Sequence, residues 1–201
     1  MDIWDAEGAQ RAIYADGGFD PDEHVDAFDL AAGLGVPITY RHFVGGGASY
    51  CPWGERERVY LDPRMSPHRQ RWLILHELSE RHTFQERGDE GHELACNRIA
   101  ARLRAPRGAF RRLVEAYGLE DLAALSRESG QSQTSTGMRI GEVFDVPVTI
   151  VTPGHVHVRG PEWGWPDERE LRRLTLARSM PRELRRVKLD DAKRRYMLIA
   201  A

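Results

Sequence analysis

Residues 71–80 read RWLILHELSE and lie at the centre of the predicted fold. They follow Ser66-Pro67, an N-cap residue with proline at the first helical position, so the sequence predicts a helix that begins there. The helix is apolar almost all round, which is typical of a helix through the centre of a domain. His76, Glu77 and Glu80 interrupt that apolar surface. Because buried charges without partners are costly, these groups are predicted to be paired or bound to a metal ion.

The three polar groups have the spacing of a metal centre. Residues four apart share one face of a helix, so the side chains of His76 and Glu80 can converge on one ion. Glu77 has the place of the general base in the His-Glu-x-x-His metalloprotease motif, in which two histidines hold zinc and the glutamate activates water. The fifth position here is a carboxylate, which zinc also accepts. A pair of surface acids is the ordinary alternative, because such a pentad occurs by accident in roughly one chain in ten of this length.

A second helix supplies the context that the pentad lacks. It is predicted to run from about residue 92 to residue 104, before Pro106. Gluzincin-type sites take a third ligand from such a helix. Glu93 is the candidate, with Asn97 one turn later on the same face.

Three further side chains are alternative ligands or supports. His82 lies six residues after His76 and needs a helix end or a bulge to turn toward the same ion. His92 and Cys96 are four apart on the second helix, so they form a pair that can itself bind metal. Packing is the ordinary role of a buried thiol in an alanine-rich helix.

The first half of the chain predicts an α+β architecture. Two N-terminal helices are expected, around residues 3–15 and from Asp20-Pro21 to about residue 32. Three short strands, at residues 36–44, 48–53 and 58–61, are expected to form an antiparallel meander.

The second half is predicted to be mainly helical. A strand is expected at residues 146–151, with residues 156–159 able to pair with it. Two Arg-rich helices are predicted at residues 167–180 and 182–198. We therefore expect a small gluzincin-like domain at residues 1–117, with a three-stranded antiparallel sheet and a metal-binding helix pair. A helical region at residues 118–201 is expected to pack on it.

Residues 122–140 have the pattern of a helix-turn-helix. An apolar first helix is followed by Gly130 and by a helix that begins with polar residues. DNA binding needs basic residues on the second helix, and only Arg139 is present there. A helical hairpin without DNA contact is therefore favoured, and DNA is the less favoured partner.

The composition is that of a globular, cytoplasmic protein. Of the 201 residues, 41% are hydrophobic and 30% charged, with a formal net charge of -2. Two cysteines cannot build a disulfide framework, which indicates a reducing compartment. No apolar run approaches the roughly 18 residues of a membrane helix, and the first residues are acidic, unlike those of a signal peptide. We expect no membrane partner.

Two segments taken together resemble the ImmA/IrrE family of metallopeptidases. The first is residues 71–78, RWLILHEL, and the second is residues 93–106, ELACNRIAARLRAP. Family members carry a His-Glu-x-x-His helix followed by a helix with the pattern Glu…Ala-Asn-x-Phe-Ala-Ala-x-Leu-Leu-x-Pro. The likeness extends over roughly residues 26–151.

This resemblance implies roles for particular residues. His76 is implied as a zinc ligand, Glu77 as the catalytic base and Glu93 as the third ligand of one zinc ion per chain. Glu80 stands where the family has histidine. A second carboxylate adds negative charge around the ion, which makes the metal a weaker Lewis acid.

The resemblance also implies a function. Family members are regulatory proteases that cut or inactivate a repressor, so we expect a zinc-dependent endopeptidase that acts on a protein substrate. That substrate is expected to be a transcriptional repressor or another regulator, of phage, mobile-element or stress-response type. The alternative is a catalytically weak or inactive metallopeptidase-like protein that binds a regulator or DNA, and Glu80 is the feature that favours it.

Overall fold

The computed structural model describes residues 5–53, 57–84, 88, 91–119, 121–151, 156–159, 169, 171, 184–190 and 195–200. Two compact units divide the chain, Met1–Ala109 and Phe110–Ala201. The sequence predicts a division eight residues later, at the end of the helix that spans Arg107–Tyr117.

The described residues form helices and strands in both units. The helices are α1 (Ala6–Asp16), α2 (Ala27–Gly33), α3 (Pro67–His82), α4 (His92–Arg104), α5 (Arg107–Tyr117), α6 (Leu122–Ser129) and α7 (Gln133–Phe144). The strands are β1 (Ile38–Tyr40), β2 (Ala48–Cys51), β3 (Arg58–Leu61), β4 (Val148–Val151), β5 (Val156–Arg159), β6 (Leu184–Asp190) and β7 (Arg195–Ala200). None of the described helices combines the length and the apolar character that crossing a membrane requires.

Helix α3 lies in the core of the first unit, as its sequence predicts. The Ser66 hydroxyl accepts a hydrogen bond from the backbone N–H of Arg69, which caps the helix just before Pro67. Helices α3 and α4 pack against each other through buried aliphatic side chains. These are Leu73, Ile74, Leu75, Leu78, Ile99 and Leu103.

The predicted start of the second helix is wrong. Asp20 accepts a hydrogen bond from the backbone N–H of Asp22 and so closes a local turn. Helix α2 begins later, at Ala27, where Asp26 accepts from the backbone N–H of Phe28. Both aspartates are good N-caps, and only the packing of the following residues selects the second one.

The three strands of the first unit form a mixed sheet, which corrects the predicted antiparallel meander. The order is β1-β3-β2, with β1 parallel and β2 antiparallel to β3. Strand β3 takes the centre because it alternates buried Val59 and Leu61 with half-buried residues. Strand β2 is consequently an edge of this sheet, hydrogen-bonded to β3 on one side.

The second unit contains a four-stranded antiparallel sheet of order β5-β4-β7-β6. Pairing of residues 156–159 with β4 is confirmed. The Arg-rich helix predicted at residues 182–198 is wrong, because this segment forms the β6–β7 hairpin. Its β-branched and aromatic residues and its pairing with β4 outweigh the helix propensity of arginine. The helix predicted at residues 167–180 lies almost wholly outside the described residues.

The α6–α7 hairpin forms, but α7 is not exposed as a recognition helix would be. It packs on β4, and an added Cβ at Gly137 would meet the Ile150 side chain. Arg139, the basic residue in this helix, is 2% exposed and pairs with Glu142. Arg139, the basic residue that a DNA contact would need on this helix, therefore does not face solvent.

Candidate metal centre

Helices α3 and α4 bring together two of the predicted ligands. The Nε2 atom of His76 lies 3.5 Å from an Oε1 atom of Glu93. Two ligands about 2.0–2.1 Å from a tetrahedral zinc ion are themselves about 3.3 Å apart. The spacing of this pair therefore suits a shared ion.

The two ligands differ in exposure. The His76 side chain is 14% exposed, whereas that of Glu93 is 77% exposed. Asn97 donates from Nδ2 to the backbone carbonyl of Glu93 at 2.9 Å and to its carboxylate at 3.4 Å. Asn97, one turn later on α4, therefore contacts both the backbone and the exposed carboxylate of Glu93.

Glu77 lies beneath the edge strand of the sheet. Its side chain is buried, and its Oε2 atom accepts a 2.6 Å hydrogen bond from the backbone N–H of Tyr50 in β2. Successive residues of a strand direct their N–H groups to opposite sides. The Gly47 carbonyl accepts from the Asp62 N–H at the β3 side, so the Tyr50 N–H, three residues on, points away from β3. The carboxylate therefore reaches the side of β2 that carries no strand in the described sheet.

Three carboxyl groups crowd this region. Burial raises the pKa of Glu77 well above its usual range, and the charge and hydrogen bond of Glu80 raise it further, with a smaller contribution from Glu93. The Tyr50 N–H acts in the opposite direction. A divalent cation among these groups would reverse the repulsion and favour the ionised form of Glu77.

The imidazole and carboxylates of this region are groups that bind a cation, although they are not gathered closely enough to surround one. In the described part of the chain, no group of three or more His, Cys, Asp or Glu side chains is gathered closely enough to hold a metal ion. The Nδ1 atom of His76 is buried and has no hydrogen-bond partner among the described residues. The Nε2 atom faces Glu93 of the second helix, so packing and Glu93 orient the ring, in place of the second hydrogen bond that a zinc-bound histidine usually makes.

The alternative ligands occupy other surroundings. His92 and Cys96 do approach each other, with 3.7 Å between Sγ and Nε2, but Thr83 engages both. The Thr83 hydroxyl lies 3.0 Å from His92 Nε2 and 3.4 Å from Cys96 Sγ. Burial raises the pKa of the Cys96 thiol, which disfavours the thiolate that metals bind. His82 is the last residue of α3, about 240° round the helix from His76.

Two residues that contact candidate site residues were not predicted from the sequence, namely Tyr50 and Thr83. Tyr50 acts through its backbone N–H, which carries no residue-specific signal, although its place in a predicted strand could have indicated a free donor. Its hydroxyl donates to Glu57, which also pairs with Arg81 of α3 and so fastens the sheet to the helix. Thr83 could have been found as the polar residue that ends an apolar helix.

Comparisons with known proteins give a family match and one similar structure. Residues 31–141 match the family model of the IrrE N-terminal-like domain, peptidase family M78. A solved Mycobacterium tuberculosis transcriptional regulator is similar, with a TM-score of 0.55 and 14% identity, over 80% of this chain and 57% of that chain. At that identity the likeness shows a shared fold alone, and this chain spans little more than half of the regulator. No curated protein matches the chain at a significant level.

Proposed function

The chain belongs to the peptidase M78 family of IrrE N-terminal-like domains, and from that membership we propose that it is a zinc-dependent endopeptidase that cleaves a regulatory protein. Members of this family are zinc metallopeptidases in general. The observation that carries the proposal is the 3.5 Å approach of His76 and Glu93 from two helices. His76, Glu93 and Glu80 would hold the ion.

Each residue then has a part in hydrolysis. When bound, the ion supplies Lewis-acid activation of a water molecule and of the peptide carbonyl. Glu77 accepts a proton from the attacking water and returns it to the leaving amine. Its burial and its hydrogen bond to Tyr50 keep the carboxylate in one orientation during both transfers.

The edge of β2 is the proposed place for the substrate. An extended peptide can add to a sheet edge as a further strand and hydrogen-bond to its backbone. Strand β2 offers the side that faces Glu77, because the Tyr50 N–H on that side already reaches the carboxylate. A peptide that binds there lies next to the proposed base.

A non-catalytic function is the second candidate. Glu80 gives the ion a second carboxylate where an imidazole is usual, which weakens the activation of water. The similar Mycobacterium tuberculosis protein is described as a transcriptional regulator. On this hypothesis the chain binds a regulator through the same scaffold without cutting it.

The test is metal content followed by cleavage. Purified protein should carry about one zinc per chain and cut members of a proteome-derived peptide library at reproducible sites, read by mass spectrometry. Glu77→Gln should keep the zinc and lower cleavage by roughly 10²–10⁴-fold. Unchanged cleavage would refute the role of Glu77. Zinc binding with no cleavage by either form would favour the non-catalytic candidate.

A further inference from the structure

A buried arginine in the first unit has hydrogen-bond donors that no described residue accepts. Arg104, in the last turn of α4, is 6% exposed. Its Nη2 atom lies 3.1 Å from Nδ1 of His68, and because a guanidinium can only donate, that nitrogen accepts. The Nε and Nη1 atoms are also buried, and they have no hydrogen-bond partner within the described ranges.

The surroundings of Arg104 are predominantly basic. Arg71, His24 and His68 lie close enough to influence or be influenced by its charge. Partial desolvation, followed by the charge of Arg104, lowers the pKa of both His24 and His68. Burial and then the charge of Arg71 lower the pKa of Arg104 itself. These directions agree with the 3.1 Å contact between Arg104 and His68, which places basic groups together where solvent is restricted.

The carboxylate of Asp26, which belongs to this cluster, already pairs with Arg71. Asp26 accepts a 2.6 Å hydrogen bond from Arg71 Nε and another from the backbone N–H of Phe28. Its charge favours the charged form of Arg104, but it cannot compensate two guanidinium groups. The guanidinium groups of Arg71 and Arg104 and the carboxylate of Asp26 therefore carry one net positive charge, even when both imidazoles are neutral.

A buried cation with unsatisfied donors costs stability unless an anion meets it. The guanidinium is also close to solvent, since His68, which contacts it, is an exposed side chain.

We propose that Arg104, together with Arg71 and His68, forms a binding site for a small phosphate-type anion, either free phosphate or a phosphate monoester. Guanidinium groups bind phosphate through charge-assisted hydrogen bonds, and Arg104 offers the unused donors of Nε and Nη1. The site is separate from the proposed metal ligands and does not rest on the peptidase proposal.

The experiment is a calorimetric titration of the full chain with inorganic phosphate at constant ionic strength, with chloride as the balancing salt. Wild-type protein should bind one phosphate saturably. Arg104→Leu should weaken binding by at least about tenfold, because it removes charged donors. Arg69→Leu is the matched control, an exposed arginine in the first turn of α3, and should bind as the wild type does.

A second variant keeps the proposal testable if Arg104→Leu does not fold. Arg71→Gln removes a half-exposed cation of the same cluster and should also weaken phosphate binding. Absence of phosphate binding by the wild type, or equal affinity in both cluster variants and the control, would overturn the proposal. Arg104-dependent binding of a short DNA duplex without binding of inorganic phosphate would overturn it as well.

Discussion

The backbone N–H of Tyr50 lies 2.6 Å from Oε2 of Glu77 and donates a hydrogen bond to it. This contact joins the edge of a sheet to the central helix of the first unit. The same side of β2 thereby faces both the proposed general base and any peptide that would extend the sheet. One element, β2, would therefore set both the orientation of the proposed base and the proposed path of the substrate.

Glu80→His should raise zinc affinity. The change restores two imidazoles four residues apart on α3 and removes one negative charge from a crowded group of carboxylates. We expect tighter zinc binding in competition with a chelator, together with faster peptide cleavage. The control is Glu80→Gln, which removes the charge without supplying an imidazole. Equal zinc affinity in the histidine and glutamine variants would show that residue 80 is not a ligand.

His76→Ala and His92→Ala should change different properties, the first zinc content and the second stability. The first removes a proposed ligand, so zinc content should fall while thermal stability of the metal-free protein changes little. The second removes a buried ring that contacts Thr83, so it should lower the free energy of unfolding by roughly 1–3 kcal/mol and leave zinc content unchanged. Elemental analysis and denaturant titration measure the two quantities. Loss of zinc in His92→Ala would instead favour the His92–Cys96 pair.

Ala48→Pro tests the proposed substrate path. Ala48 is the first residue of β2, and its N–H points to the same side as that of Tyr50, two residues on. Proline at this place removes that donor and leaves the pairing of β2 with β3 intact. We expect KM for peptide cleavage to rise while zinc content stays constant. Ala48→Ser keeps the donor and serves as the control, and an unchanged KM in the proline variant would contradict the path.

Asp62→Asn should flatten the response of stability to acid. Asp62 is fully buried and accepts hydrogen bonds from the Arg64 side chain and from the backbone N–H groups of Phe43 and Arg64. The hydrogen bond from Arg64 is the largest cause that holds the pKa of this carboxyl well below its usual range.

The sign of this effect follows from the two protonation states. A folded-state pKa below the unfolded value stabilises the fold above the unfolded pKa and loses that contribution as the pH falls. Wild-type stability should therefore decline below about pH 5, and the asparagine variant should be less stable near neutral pH but decline less. Denaturant titrations across this range measure both, and parallel curves would contradict the assignment.

Local signals predicted the elements that carry the candidate centre. The cap at Ser66-Pro67 and the apolar run after it place α3, and the structure begins that helix at Pro67. The second helix was predicted at residues 92–104 and is found at His92–Arg104. Capping and periodicity depend on neighbours within a few residues, so the sequence contains them in full.

Contacts between distant segments were not predictable in this way. The same alternating strands allow either a meander or the order β1-β3-β2, and burial of β3 between its neighbours decides. The β6–β7 hairpin carries arginines that favour a helix locally, and pairing with β4 overrides that preference. In each case the deciding energy comes from partners far away in the chain.

Local pattern alone places His76, Glu77 and Glu80 on one helix and Glu93 in the first turn of the next, because helical spacing depends only on near neighbours. Contacts between elements bring His76 and Glu93 to 3.5 Å, bond Glu77 to the backbone of β2, and bury Arg104 with donors that no described residue accepts. These relationships depend on how α3, α4 and the sheet pack, because burial and distance between elements are set by the whole core rather than by any one segment.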